Sequence, residues 1–230
     1  MQDDTFSNAT ILDIFTQETQ IRGGRVTDTF HDGRRLFVRS LLPRVKEIRP
    51  QDGFQGGLAL RAIDGELWLH PYLFRQVCRN GAIMAQALES VHLEPFDIDA
   101  PEVAASTLRD AIAACNEEEV FLGSLDSVRS SIHAEADMML NMMPFLSRLQ
   151  QAGMGRILAQ ILETFSSQRD RTRYGLMNAV TSVARDTTDP DERWRLEELG
   201  GSIGAGVRPR QPVTPIARRH FDREYAPARM

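Results

Sequence analysis

Cys78 stands in a stretch whose residue types could do chemistry, "RQVCRNG" at residues 75–81. Arg75 and Arg79 flank it, and cationic neighbours favour the nucleophilic thiolate form of a cysteine. His70 lies upstream and is a candidate base. The same stretch also fits a strand-to-helix junction, or a basic edge that contacts phosphate. The sequence favours the junction, leaves the phosphate contact open and argues against the reactive thiol.

An activated cysteine needs a base held beside it, and no strand–turn–helix nucleophile motif surrounds Cys78. Cysteine is also among the most commonly buried residue types. We therefore predict a buried, structural Cys78 and keep an enzyme with a site near Cys78 and His70 as an alternative. "HAEAD" at residues 133–137 resembles the His-x-Glu of zinc deaminases, but no cysteine follows Cys115 to complete that motif. We expect no metal site and no cofactor.

A basic segment offers a second kind of chemistry, namely contact with phosphates. Residues 21–50 carry eight basic and three acidic side chains, whereas the whole chain has a formal net charge of −5. Arg35 and Arg39 have the even spacing that puts two side chains on one face of a strand. Phe30, Phe37 and Phe54 are interleaved with the basic residues and would permit base stacking. A solvated basic face over core phenylalanines is the alternative.

The predicted nucleic-acid-binding residues combine the basic segment with the two arginines beside Cys78. They are Arg34, Arg35, Arg39, Arg44, Lys46, Arg75 and Arg79.

Composition places the chain among soluble globular proteins. It has 230 residues, of which 42% are hydrophobic and 26% charged. Two cysteines are too few for a disulfide framework and lack zinc-type spacing. No apolar run approaches the roughly 20 residues that a membrane span needs, and the acidic N-terminus does not resemble a signal peptide. We expect a cytoplasmic protein without a membrane partner.

The first half of the sequence predicts strands. Residues 25–30 and 34–42 are rich in strand-forming side chains, with a turn signal between them. Apolar runs then flank Asp64-Gly65, a dipeptide that supplies the positive φ angles of a type I′ hairpin turn. This pattern predicts Leu60 to Ile63 paired against Glu66 to Leu69. Residues 25–71 therefore indicate an antiparallel sheet of three or four strands.

Helical periodicity replaces the strand pattern after the sheet. It covers Ala82 to Leu88, Pro101 to about Cys115, residues 121–132, 155–165 and 173–186, and a helix from Pro190 to Gly200-Gly201. Pro144 predicts a break. Strands followed by helices indicate an α+β fold with a mostly helical C-terminal half.

The predicted organisation is a polar segment at 1–20, a single α+β domain at 21–205 and an Arg/Pro-rich, disordered tail at 206–230. The helical half is acidic and contains a methionine stripe, which favours an alternative function as a protein-interaction or assembly module. The stripe consists of Met138, Met139, Met142 and Met143.

Two segments carry a family resemblance, "RQVCRNG" at residues 75–81, preceded by a predicted sheet that ends in "GELWLHPYLF", and "TRYGLMNAVTSVARD" at residues 172–186. In order and wide separation they resemble the Val-Cys-x-Asn-Gly and Asn-Ala-Val-Thr segments of a widespread group of phage- and plasmid-related proteins of unknown function. The resemblance covers roughly residues 25–205 and implies no catalytic residues. The group's strand-then-helix architecture is similar to that of single-strand annealing recombination proteins.

By that fold-level analogy we predict a non-catalytic binder of single-stranded DNA that acts in recombination or mobile-element maintenance. A homo-oligomeric state is compatible with this prediction. The assembly module of phage or plasmid origin and the enzyme near Cys78 stay open as alternatives.

Overall fold

The computed structural model describes residues 6–87, 89–93, 101–137 and 155–206. Helix α1 (Asn8–Ile21) comes first, a six-stranded sheet follows, and five further helices complete the described part of the chain. The strands are β1 (Arg25–His31), β2 (Arg35–Arg49), β3 (Asp52–Ile63), β4 (Glu66–Arg75), β5 (Asn80–Ile83) and β6 (Val91–Leu93). The later helices are α2 (Pro101–Cys115), α3 (Glu118–Ser131), α4 (Gly155–Ser167), α5 (Arg173–Asp186) and α6 (Pro190–Ala205).

Strands β1 to β5 lie side by side in chain order, and β6 also pairs with β4. Every pairing is antiparallel. The predicted hairpin is confirmed, because Leu60 lies opposite Leu69 and Ile63 opposite Glu66. Asp64 and Gly65 join the two strands with φ angles of 49° and 86°. Both central residues are thus left-handed, as a type I′ turn requires.

The order of sheet and then helices is confirmed, but the sheet has six strands rather than three or four. The helix predicted from Ala82 is wrong. Ala82 and Ile83 instead pair with Leu73 and Tyr72 of β4, because a short apolar run fits a buried strand as well as a helix. Cys78 consequently lies in the turn between β4 and β5 and not at a strand-to-helix junction.

Helix α1 was not anticipated by the sequence analysis. Its N-terminus is capped by the Ser7 hydroxyl, which accepts a hydrogen bond from the backbone N–H of Thr10 at 3.2 Å. Ile11, Ile14 and Phe15 are buried at helical spacing and pack with the sheet and α2. One face of the segment that was predicted only as polar therefore contributes to the core.

Helices cover parts of both faces of the sheet. One face packs through Val38 and Leu60 against α1 and α2. Further along this face, Phe54 joins a cluster with side chains of α3, α4 and α5. On the opposite face, Phe37 contacts Trp194 of α6, with ring centroids 6.0 Å apart.

Helix α6 continues beyond its predicted end at Gly200-Gly201 and reaches Ala205. Gly201 lies where the helix crosses β5, and a Cβ atom there would be only 2.0 Å from the carbonyl oxygen of Ile83. The glycine is therefore needed for close packing. The helix ends with the left-handed residue Gly206, whose φ is 70°.

Several predictions fall outside the described residues. They concern the methionine stripe, the break at Pro144, Leu88 and the tail after Gly206, and they stay predictions. None of the helices in the described ranges combines the length and the apolar character that crossing a membrane would require.

The β3–β4 turn generates the first test. Replacing Gly65 by valine should lower the free energy of unfolding by about 1–3 kcal/mol, because a β-branched residue is strained at positive φ. Gly65→Asn is the matched control, since asparagine visits the left-handed region readily. Thermal melts measure both variants. An unchanged midpoint for Gly65→Val would contradict the turn assignment.

Candidate functional site

The seven predicted binding residues are spread along the length of the sheet. Arg35 begins β2, whereas Lys46 lies near the other end of this strand, opposite Phe54. Phe54 is in turn opposite Arg75 on β4. At about 3.3 Å per residue, Arg35 and Lys46 are roughly 35 Å apart along β2. The seven side chains therefore do not form one continuous patch.

Two of the seven hold α6 on the sheet. Arg39 is only 3% exposed and donates from Nε to Glu197 Oε2 at 2.7 Å. It also donates to Asp28 at 3.0 Å. Arg35 donates to Asp191 at 2.7 Å. Arg35 and Arg39 lie on the same face of the sheet, as their spacing indicated. Their guanidinium groups bind carboxylates within the protein. Arg39 is therefore not a candidate for binding phosphate.

The remaining residues of the basic segment have varied surroundings. The side chain of Arg34 is 81% exposed and lies 3.1 Å from Asp64. Arg44 donates to the carbonyl oxygen of Asn116. Phe37 and Phe54 are each 1% exposed, so neither ring is available to stack on a base.

Five basic side chains converge at the end of the sheet formed by β2, the start of β3, the β4–β5 turn and the last turn of α5. We call this region the basic end. Arg185 joins it from α5, since its Nη1 donates to the carbonyl oxygen of Cys78 at 2.8 Å. Arg185 was missed because 107 residues separate it from Cys78 in the sequence. The members are Lys46, Arg49, Arg75, Arg79 and Arg185.

A buried carboxylate, Asp52, organises the basic end. It is 4% exposed and accepts hydrogen bonds from Arg75 at 2.6 and 3.1 Å, Arg49 at 2.9 Å and the Tyr174 hydroxyl at 2.7 Å. The guanidinium carbons of Arg49 and Arg75 lie 4.7 and 5.3 Å from the centre of the Tyr174 ring. One carboxylate and one aromatic ring therefore hold two arginines from different strands.

The protonation states follow from these contacts. Burial by itself raises the pKa of Asp52, but the hydrogen bonds from Arg75 and Tyr174 outweigh it and hold the pKa below its ordinary value. Burial and the hydrogen bond to Asp52 raise the pKa of Tyr174. Tyr174 therefore stays protonated and donates to an ionised Asp52.

A polar stripe on α5 continues from Tyr174 towards the basic end. Tyr174, Asn178, Thr181 and Arg185 follow one another at intervals of four, three and four residues, which places them on one helix face. Asn80 donates to the Thr181 hydroxyl at 2.5 Å. This contact joins the two segments that carry the family resemblance.

Tyr174, Asn178 and Thr181 of this stripe are buried, and only Arg185 is exposed. Asn80 is 3% exposed and Asn178 is 7% exposed, and their side-chain oxygens have no hydrogen-bond partner among the described residues. Burial of polar groups is unfavourable unless they are hydrogen-bonded. A polar contact between helix and sheet at this position makes the region the strongest candidate site in the described chain.

The surroundings of Cys78 do not provide the machinery of a nucleophile. Cys78 is partly exposed, not buried as predicted, and its sulfur accepts from Arg75 Nη1 at 3.0 Å. His70 is buried further along β4 against Trp194, and burial lowers the pKa of His70 to about 3. The register places His70 roughly 17 Å along the strand from Arg75. His70 is therefore not a base for Cys78.

Metal ligation finds no support in the ranges that the structure describes, since they contain no group of three or more His, Cys, Asp or Glu side chains placed to hold an ion. Comparison of the chain with protein-family models, with curated proteins and with solved structures finds no match. The resemblance to phage- and plasmid-related proteins stays a prediction.

Asp52 generates the second test. Asp52→Asn should lower the free energy of unfolding by about 2–4 kcal/mol at pH 7, because it leaves the guanidinium of Arg75 without its carboxylate. The folded-state pKa of Asp52 lies below the unfolded value, so its contribution is present above pH 4 and is lost as the pH falls further.

Urea unfolding at pH 7 and pH 3 measures both effects. The difference between the wild-type protein and Asp52→Asn should shrink at pH 3. A difference that does not depend on pH would show that the charge of Asp52 does not stabilise the basic end. Asp126→Asn is the control, because the side chain of Asp126 is 68% exposed on α3 and its loss should change stability little.

Proposed function

We propose that this chain binds single-stranded nucleic acid at the basic end and performs no catalysis there. The observation that supports the proposal is the convergence of exposed cations from separate elements. Lys46 and Arg79 are exposed, and the side chains of Arg49 and Arg185 are each 41% exposed. A local group of positive charges attracts a polyanion even when the protein's net charge is negative.

The buried contacts beneath the surface favour binding, because they orient the cations in advance. Arg49 is fixed between Asp52 and the ring of Tyr174. Arg185 is fixed by the carbonyl oxygen of Cys78 and by the carboxylate of Asp186, which accepts from Nε at 2.8 Å and from Nη2 at 3.0 Å. Side chains that are already ordered lose less conformational entropy when a ligand binds. The cations of the basic end are thus preorganised for contact with phosphates.

Arg79 adds a second feature, an unfavourable backbone conformation. Its φ angle is 54°, which costs a residue other than glycine about 1–2 kcal/mol. The arginine stands at the last position of the β4–β5 turn, between Cys78 and Asn80. Gln51 and Asp64 have similar φ angles in other turns, so the conformation alone assigns no role, and it is the exposure and charge of Arg79 that suit contact with a phosphate.

The proposed biological role follows the resemblance described above and is recombination or mobile-element maintenance, with single-stranded DNA as the ligand. His70, the base suggested for an enzyme with a site near Cys78, does not approach Cys78. The methionine stripe on which the assembly-module alternative depends lies outside the described residues.

Fluorescence anisotropy of a labelled single-stranded oligonucleotide, titrated with the protein at two salt concentrations, tests the proposal. The logarithm of the binding constant should fall with the logarithm of salt concentration by about 0.7 per neutralised phosphate. Absence of binding at low salt would refute the proposal.

Two substitutions at Arg79 distinguish the effect of its charge on binding from the effect of its left-handed backbone conformation on stability. Arg79→Ala and Arg79→Gly should weaken single-strand binding equally, by about 3- to 10-fold, and lower the salt slope by about 0.7, because each removes one phosphate contact. Only Arg79→Gly relieves the backbone, so it should be more stable than Arg79→Ala by up to about 1 kcal/mol.

Arg34→Ala is the matched control for this pair, since Arg34 is an exposed arginine at the opposite end of the sheet. It should bind like the wild-type protein. An equal loss of affinity in Arg34→Ala and Arg79→Ala would place the binding surface elsewhere. Thermal melts of the four proteins give the stability comparison.

A further inference from the structure

Arg185 of the basic end is held by a carboxylate that is itself open to solvent. Asp186 accepts from Arg185 Nε at 2.8 Å and from Nη2 at 3.0 Å, and we call these two donors the fork. The third nitrogen, Nη1, donates to the carbonyl oxygen of Cys78 at 2.8 Å. The side chain of Asp186 is 66% exposed, whereas that of Asp52 is 5% exposed. A ligand can therefore reach and replace the carboxylate of Asp186, but not that of Asp52.

The carboxylate of Asp186 does little for the fold. Asp186 is the last residue of α5, where the negative end of the helix dipole disfavours a carboxylate and favours a cation such as Arg185. An ion pair that is exposed to solvent also contributes little stability. The hydrogen bond from Arg185 lowers the pKa of Asp186, so this side chain is an anion at neutral pH and competes with other anions for the fork.

We infer that the fork of Arg185 is a phosphate-binding position which Asp186 occupies in the free protein, and that a nucleic-acid phosphate replaces this carboxylate on binding. This inference rests on the proposed function and names the side chain that limits its affinity. Two phosphate oxygens accept from a guanidinium group in the same bidentate geometry as a carboxylate. The Cys78 carbonyl belongs to the peptide bond that joins Cys78 to Arg79. The fork therefore adjoins exposed Arg79, and a strand held at Arg79 presents its next phosphate at high effective concentration.

Asp186→Asn tests the inference, because it removes the competing charge and keeps a side chain of nearly the same size. A labelled single-stranded oligonucleotide is titrated with each protein by fluorescence anisotropy at two salt concentrations. The variant should bind about 2- to 5-fold more tightly, since the ligand no longer breaks an exposed ion pair. In the wild-type protein the freed carboxylate takes up a cation, which offsets the cation released from the phosphate. The salt slope of Asp186→Asn should therefore be steeper by about 0.7.

Asp126→Asn is the matched control. Asp126 pairs with Arg129 on α3, and its side chain is 68% exposed, close to the 66% of Asp186. The control changes the net charge equally, but α3 contributes no residue to the basic end, so affinity and slope should stay at the wild-type values. The double variant Asp186→Asn, Arg185→Ala should lose both the tighter binding and the steeper slope, because it has no fork. Because Asp186 is exposed, the melting midpoint of Asp186→Asn should stay close to that of the wild-type protein.

The contrary results separate this inference from the proposed function. Unchanged or weaker binding by Asp186→Asn, while Arg79→Ala still weakens binding, overturns the inference and leaves the proposed function standing. An equal gain in Asp126→Asn would show an effect of net charge and also overturns the inference, as does a gain that persists in the double variant. If the wild-type protein does not bind the oligonucleotide at low salt, the proposed function fails and this inference fails with it.

Discussion

The shared carboxylate of Asp52 is the contact on which the basic end depends. A guanidinium group withdrawn from water is strongly unfavourable without a partner, and removing one member of a buried pair typically costs 3–5 kcal/mol. Asp52 accepts from Arg75 and Arg49 and from Tyr174, which is 122 residues away in the sequence. Because of this one side chain, the sheet and α5 can meet through polar groups and still gather cations at their junction.

The features that the sequence predicts correctly are those decided by the conformational preferences of one or two neighbouring residues. The Asp64-Gly65 turn depends on the φ preferences of two residues, so it is readable without knowledge of the fold. The starts of α2 and α6 are readable from Pro101 and Pro190 for the same reason. Helix α1 had its helical spacing in the sequence too, but its charge and polarity concealed it. The strands β5 and β6 could not be predicted, because pairing with β4 decides their conformation.

The candidate site was less accessible because its contacts join distant parts of the chain. The polar stripe on α5 is visible as helical spacing, but its partner Asn80 is 101 residues from Thr181. The sequence also does not reveal which anion the guanidinium group of a given arginine contacts. Arg39 was predicted to meet phosphate and in fact meets Glu197, whereas Arg79 has the exposure expected of a phosphate contact.

The covering of the sheet by α6 also sets an order of events during synthesis. Arg39 and Phe37 are made early, but Glu197 is 158 residues beyond Arg39. At about 5–20 residues per second, translation leaves an interval of roughly 8–30 s between the two. During that time the nascent sheet presents an uncovered aromatic and cationic face to other chains. This face is therefore protected from contact with other chains only after α6, the last helix of the described fold, has been synthesised.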